Sequence, residues 1–397
     1  MENTIYITGI GIISAIGNNV SECLDSLMTK RSGINDIKIL QTIHKNSFKV
    51  GEVKLTNEEL MNLLNIPSEK YSQYTRTSLL GIIAAKEALF NSKIDINDGY
   101  KTAFISSSTV GGMDKTELHF TDDSNSSGFV NTHPCGDSTD KIADYLELTD
   151  YRTTISTACS SAANAMMHAA RLIKSGIADR AIVGGVDALS KFTLNGFNSL
   201  MILDTDYCKP FDSNRRGLNI GEGAGFLVLE SDKLLKSKNK SYICKLTGYA
   251  NANDAYHQTA SSPEGDGAFS AMTEAIKMSG LNISEIDYVN AHGTGTSNND
   301  LSEGTALKRI FGNNIPKFSS TKSYTGHTLA AAAAVEAVFS CLSIANGIIY
   351  PNLNFSSEIP ELGISPETEL IRGLNIKHVL SNSFGFGGNN STLIFSK

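Results

Sequence analysis

Cys159, His292 and His327 are the residues whose types and settings best suit chemistry. Cys159 lies in Thr157-Ala158-Cys159-Ser160-Ser161, between a β-branched, apolar stretch at 152–156 and a stretch at 162–175 in which Ala165, Met166, Ala169, Ala170 and Ile173 recur at helical spacing. A thiol at a helix N-terminus meets unpaired N–H groups and the positive end of the dipole, which favours thiolate and draws the pKa from about 8.5 toward neutrality. The competing reading is a small buried cysteine, the commoner fate of a single thiol. His292 lies in Asn290-Ala291-His292-Gly293-Thr294-Gly295-Thr296, just after a strand-like run, where sites collect in α/β sheets. His327 closes Ser319-Ser320-Thr321-Lys322-Ser323-Tyr324-Thr325-Gly326-His327 and opens an alanine-rich helix. One such histidine is usually structural; two, each after a strand and with Lys322 before the second, shift the balance toward chemistry.

A scaffold must bring these distant residues together. The patterning predicts strands over 5–13, 102–107, 152–156, 181–185, 225–230, 241–249, 287–290, 317–320, 378–381 and 391–395. Helices are predicted over 19–30, capped by Asn18 or Asn19, and over 77–91, 162–175, 268–278 and 328–345. Residues 38–64 read as a polar surface excursion, and 124–138, rich in Ser, Asn, Asp, Gly and Pro, as a long loop. The pattern restarts after the Lys-rich segment 233–240. Strands alternating with helices give an α/β architecture, and the two similar passes, 1–235 with the cysteine and 236–397 with the histidines and lysine, suggest internal duplication.

Composition narrows the classes. The 397 residues are 41% hydrophobic, enough for a large core, and the net charge of −7 argues against bulk attraction to nucleic acid or a membrane surface. The six cysteines are scattered without a CxxC pair, which suits a reducing cytoplasm better than a disulfide scaffold or a zinc site. Residues 1–14 lack a basic start and a cleavage motif, so a first buried strand is expected there in place of a signal peptide. No apolar run approaches the roughly 20 residues of a membrane span. Neither Gly293-Thr294-Gly295 nor Gly221-Glu222-Gly223-Ala224-Gly225 meets the dinucleotide fingerprint, so no nucleotide cofactor is expected.

The tail Ser381-Asn382-Ser383-Phe384-Gly385-Phe386-Gly387-Gly388-Asn389-Asn390 joins two strands through a glycine-dense turn that lets backbone N–H groups point into a site. Together with Tyr6-Ile7-Thr8-Gly9-Ile10-Gly11, Pro210-Phe211-Asp212 and Arg215, Gly221-Glu222-Gly223-Ala224-Gly225, Asp254-Ala255-Tyr256-His257 and the cysteine and histidine motifs, it makes the chain resemble the β-ketoacyl-[acyl carrier protein] synthases from end to end. These are elongating condensing enzymes of the thiolase fold, and the likeness is greatest to the synthase II type. The resemblance implies a thiolase-like duplicated five-layer α/β/α/β/α fold. It also implies an acyl carrier protein partner whose phosphopantetheine arm carries the substrates, no cofactor of the enzyme's own and no metal, and a homodimer, with a heterodimer as the alternative.

The implied reaction is a decarboxylative Claisen condensation of an acyl chain with malonyl carrier protein, in fatty acid biosynthesis or a related polyene or polyketide pathway. Cys159 matches the acyl-accepting nucleophile, His292 and His327 the pair that promotes decarboxylation and steadies the enolate, and Lys322 the active-site lysine. The N–H groups of Cys159 and Phe386 match the oxyanion hole, and Phe386 also the gate. Thr294 and Thr296 match contacts to the pantetheine arm, Val110 a position near the end of the acyl pocket, and Phe384 is expected on the substrate path. Asn290, Glu336, Ser381 and Asn390 match positions that hold a monovalent cation in some relatives. Lys70, Arg76, Lys209 and Arg215 are candidate docking residues for an acidic carrier.

Several positions depart from the family pattern. Ala330 and Ala333 replace common glycines, Asn299 a glycine, Arg216 an aspartate and Asn389 a threonine, changes that bear on substrate preference more than on chemistry. A chain-length partner subunit would lack the nucleophile. A thiolase would need a second cysteine near the C-terminus, whereas Cys341 falls inside the 328–345 helix, and an initiating synthase would show Cys-His-Asn in place of Cys-His-His.

Overall fold

The computed structural model describes residues 4–120 and 131–397. The first half runs β1 (Ile5–Ser14), α1 (Val20–Met28), β2 (Asn35–Asp36), β3 (Lys49–Val50), α2 (Asn57–Leu63), α3 (Arg76–Ser92), β4 (Thr102–Ser107), α4 (Met113–His119), α5 (Cys135–Tyr145), β5 (Tyr151–Ile155), α6 (Ser161–Lys174), β6 (Arg180–Asp187), α7 (Lys191–Ser199) and β7 (Gly223–Ser231). The second runs α8 (Asp232–Lys238), β8 (Cys244–Asn253), α9 (Asp266–Ser279), β9 (Tyr288–Asn290), α10 (Ser297–Phe311), β10 (Lys317–Ser319), α11 (Lys322–Thr325), α12 (Ala332–Asn346), β11 (His378–Gly385) and β12 (Asn389–Ser396).

The duplication is written in the strand pairing. The first half orders its strands β5-β4-β6-β7-β1 and the second β10-β9-β11-β12-β8. In each, the middle strand of the outer three pairs in parallel with both neighbours, β4 with β5 and β6, and β9 with β10 and β11. The remaining pairs are antiparallel in both halves. A short antiparallel register, with Ile5 opposite Leu246 and Ile7 opposite Cys244, ties the halves together through β1 and β8.

Helices α6 and α12 lie against each other between the halves and touch strands of both, while α3 covers the outer face of the first half and α9 with α10 that of the second. This gives the five layers of the duplicated thiolase-like fold. The central helices are rich in alanine because two sheets and a partner helix must approach closely. A methyl group at Gly225 on β7 would stand 2.7 Å from the carbonyl carbon of Ala334 on α12. Residues 329–346 have the length and apolarity of a membrane span, more than the sequence reading allowed, but they are enclosed between the sheets and form a core helix.

The patterned elements fall where expected, α1 with Asn19 as its cap accepting the Glu22 N–H. Other segments differ. Residues 38–64 are partly core: Gly51, Val53, Leu60 and Met61 are buried, and Glu52 accepts the N–H groups of Lys38, Ile39 and Leu40. Of the loop expected over 124–138, residues 124–130 lie outside the described residues, and 135–138 begin α5. Helix α10 went unread because the buried residues of its first turns, Asp300, Ser302, Glu303, Gly304 and Ala306, are small or acidic, and large apolar ones, Leu307 and Phe311, follow only toward its C-terminus.

Candidate active site

Cys159 lies in the turn between β5 and α6, two residues before the first helical residue. The turn is strained: Ala158 adopts φ +51°, a left-handed conformation rare for a residue with a side chain. Side-chain bonds hold it there. Ser161 Oγ accepts the Thr157 N–H at 2.8 Å and donates to the Ala158 carbonyl at 2.5 Å, and Asn164 Nδ2 donates to Thr157 Oγ1 at 2.9 Å.

The structure brings the three residues together. His327 Nε2 stands 3.1 Å from Cys159 Sγ, and the two imidazoles meet edge to face with centroids 5.3 Å apart. Each ring has its tautomer set from behind. The Leu329 N–H donates to His327 Nδ1 at 3.2 Å, so the ring proton sits on Nε2 and faces the sulfur. Lys322 Nζ stands 3.1 Å from His292 Nδ1, which puts the His292 proton on Nε2 as well. Burial, then the Lys322 charge, hold both histidines well below their ordinary 6.5, so both are neutral donors.

Lys322 is buried and ion-paired to Glu336 on α12, and it also donates to the His292 carbonyl at 2.6 Å. Burial pushes Glu336 up to about 7 against the pull of that lysine. A second buried carboxylate, Glu303 on α10, accepts the N–H groups of His292 and Gly293 at 2.9 and 2.8 Å. Asp187, at the end of β6, accepts from Ser108, Thr109 and Val110 and from the Ala330 N–H at 2.8 Å, tying the loop after His327 to the loop after β4. Sequence reading missed Glu303 and Asp187 as supports. The acidic residue closing the apolar run 181–186 was the available signal for one, and the i, i+3 pair Asp300 and Glu303 for the other.

The thiol departs from expectation. Burial pushes Cys159 up to about 11, opposed by the Lys322 charge and by the backbone N–H groups of Phe386 and of Cys159 itself. The helix N-terminus is therefore not enough to keep a resting thiolate at neutral pH, because the sulfur is shut away from water.

A cavity of about 230 Å³ opens onto these groups and is lined by Cys159, His292, His327, Thr294, Thr296, Phe384 and Phe386, with Phe197, Met201, Arg216 and Asn298 farther out. Thr294 and Thr296 join their hydroxyls at 2.9 Å, and Phe386 stacks on Phe197 with centroids 5.8 Å apart. Val110 is buried but lies off this cavity, its N–H on Asp187. Arg76 is not a docking residue: it is buried and ion-paired to Glu222 at 2.6 Å. Arg215 spends its guanidinium on the carbonyls of Thr296, Asp212 and Ser297. At the positions matched to a cation site, Glu336 is occupied by Lys322, while Asn290 Oδ1 is buried without a partner.

The N-terminal domain model of the β-ketoacyl synthases matches residues 2–234, and the C-terminal domain model matches 243–356. The chain belongs to the β-ketoacyl synthase family. It is 32% identical to 3-oxoacyl-[acyl-carrier-protein] synthase 2 of Staphylococcus aureus (strain N315), over 99% of this chain and 98% of that protein. Among solved structures it is similar to the ishigamide ketosynthase/chain length factor, with a TM-score of 0.93 and 28% identity over the whole of both chains. It is also similar to a type II polyketide ketosynthase solved with its acyl carrier protein, with a TM-score of 0.87 and 25% identity over both full chains. In this β-ketoacyl synthase the two family models meet near α8, between the half that carries the thiol and the half that carries the imidazoles.

Proposed function

We propose that the protein elongates acyl chains by decarboxylative condensation with malonyl-[acyl carrier protein], as a 3-oxoacyl-[acyl carrier protein] synthase. The observation that carries the assignment of roles is the 3.1 Å approach of His327 Nε2 to Cys159 Sγ beside a second Nε2–H donor, His292. The Cys159 sulfur attacks the carbonyl carbon of an acyl thioester, forming a new C–S bond as the carrier thiol leaves with the proton. The N–H groups of Cys159 and Phe386 hold the developing oxyanion. Malonyl carrier protein then enters and its C–C bond breaks, releasing CO2 and leaving an enolate whose oxygen takes hydrogen bonds from both Nε2–H groups. The enolate carbon attacks the acyl carbon on Cys159, and the C–S bond breaks to release a chain two carbons longer and the Cys159 thiolate, which takes up one proton from water to restore the thiol.

Neutral imidazoles suit this work, since the electron pair left by CO2 needs donors and no proton is taken up in that step. Lys322 and Glu336 fix His292, Phe386 gates the cavity, and Thr294 and Thr296 take the amides of the pantetheine arm. The partner is an acyl carrier protein. A second ketosynthase-fold subunit, of the same chain or a chain-length partner, pairs along β5, which ends the strand order among the described residues and whose Thr153, Thr154 and Ile155 are only half-buried. All six cysteines are free thiols, in keeping with a reducing, cytoplasmic setting.

The test is intact-mass analysis after incubation with acyl carrier protein loaded with defined acyl chains, followed by malonyl carrier protein. Wild type is expected to gain the acyl mass and to release a 3-oxoacyl product, and Cys159→Ala to do neither. Undiminished product from Cys159→Ala would assign the chain to the partner-subunit role.

A further inference from the structure

Apart from the imidazoles, Arg216 is the one ionisable cation that lines the cavity among the described residues. Exposure orders the lining from floor to mouth: Cys159 and His292 are 6% and 1% exposed, Met201 is 88% exposed, and the Arg216 side chain 61%. Arg216 therefore stands at the rim of a passage whose floor is the thiol. Its neighbour in sequence is engaged elsewhere: Arg215 does not line the cavity, and each of its three nitrogens donates to a backbone carbonyl. Arg216 is held by one contact, Nη2 to Asp204 Oδ1 at 3.1 Å, and among the described residues no other hydrogen bond engages its guanidinium. Asp204 is itself 1% exposed and anchored by the Asp206 N–H at 3.0 Å. A buried carboxylate thus aims one edge of the guanidinium and leaves the others to a ligand.

We propose that Arg216 binds the phosphodiester through which the pantetheine arm is attached to its carrier protein. The proposal rests on the reading that substrates arrive as carrier thioesters. The arm itself is neutral except at its phosphate, which lies at the end opposite the thioester that must reach Cys159. With the thioester at the floor, the phosphate comes to the rim, where a part-exposed guanidinium meets it by charge-assisted hydrogen bonds.

The test compares three malonyl donors with wild type, Arg216→Ala and Arg216→Asp: malonyl carrier protein, malonyl-phosphopantetheine, and malonyl-pantetheine, which lacks the phosphate. Arg216→Ala is expected to raise KM about tenfold for the first two, the scale of one charge-assisted contact, with kcat little changed. Arg216→Asp should raise it further, and malonyl-pantetheine should show neither effect. An equal loss with malonyl-pantetheine would make Arg216 a structural residue of the rim and overturn the proposal. A loss confined to the intact carrier would overturn it too, by assigning the arginine to the carrier's surface. If wild type turns over none of the donors, the ketosynthase reading beneath the proposal has failed, a result distinct from either of these.

Discussion

The turn after β5 and the turn after β10 occupy equivalent places in the duplicated sheets, yet one presents a cysteine and the other leads to a lysine and a histidine. They are held by different physics. The cysteine turn is kept in a strained conformation, φ +51° at Ala158, by neutral bonds from Ser161 and Asn164. The other turn carries buried charge, Lys322 against Glu336, and uses it to orient His292. A nucleophile must be placed but left free to change partner, which strain and neutral bonds allow. A proton donor must keep one tautomer throughout, which a fixed charge enforces.

Substitutions can break this contrast in graded steps. Replacing His292 or His327 with Ala removes a donor to the enolate, and each is expected to lower kcat by about 10²–10³-fold, with the double variant far from multiplicative. Decarboxylation of malonyl carrier protein, followed by CO2 release, checks this. Next in size, Lys322→Ala strands Glu336 in the core and should cost about 3–5 kcal/mol in denaturant unfolding. Adding Glu336→Gln should return much of that stability without returning turnover, separating the charge pair's structural cost from its orienting role. By NMR titration, His292 in Lys322→Ala should move up from its depressed pKa, because the lysine charge is one of the causes holding it down.

Smaller effects sharpen the other side. Both histidines lie well below 6.5 when folded and return to it when unfolded, so unfolding takes up protons in acid. Their contribution to stability is complete above about pH 6.5 and is lost as the pH falls below it. Thermal unfolding from pH 7.5 to 5 should therefore be less acid-sensitive in His292→Gln than in wild type. Ala158→Gly should relieve the turn and raise stability by about 1 kcal/mol, while slowing acylation of Cys159 as the sulfur loses its fixed aim.

Much of this was legible in the sequence. Cys159, His292, His327 and Lys322 are marked by local motifs, and the strands around them by period-two or unbroken apolar runs. Residues that act from a distance are marked more faintly. Asp187 closes an apolar run, Glu303 shares an i, i+3 spacing with Asp300, and Glu336 matches a position that holds a cation in some relatives, but only three-dimensional proximity shows that Asp187 and Glu303 receive backbone N–H groups and that Glu336 pairs with Lys322. Arg76 misled for the same reason, since a charge that looks solvated in sequence proved to be the core partner of Glu222. The Cys159 thiol was misjudged because the helix terminus is visible in sequence and the depth of burial is not.

The placement of α6 and α12 back to back between the sheets has a further consequence. The thiol rides at the head of one and the carboxylate that anchors Lys322 on the other, so sulfur and imidazole keep their spacing only while these two helices stay docked. A chain severed at the Lys-rich segment near 239 would yield two inert pieces. Mixed in a tube, they would regain turnover only by finding each other, and the rate of that recovery would time the assembly of the reaction centre itself.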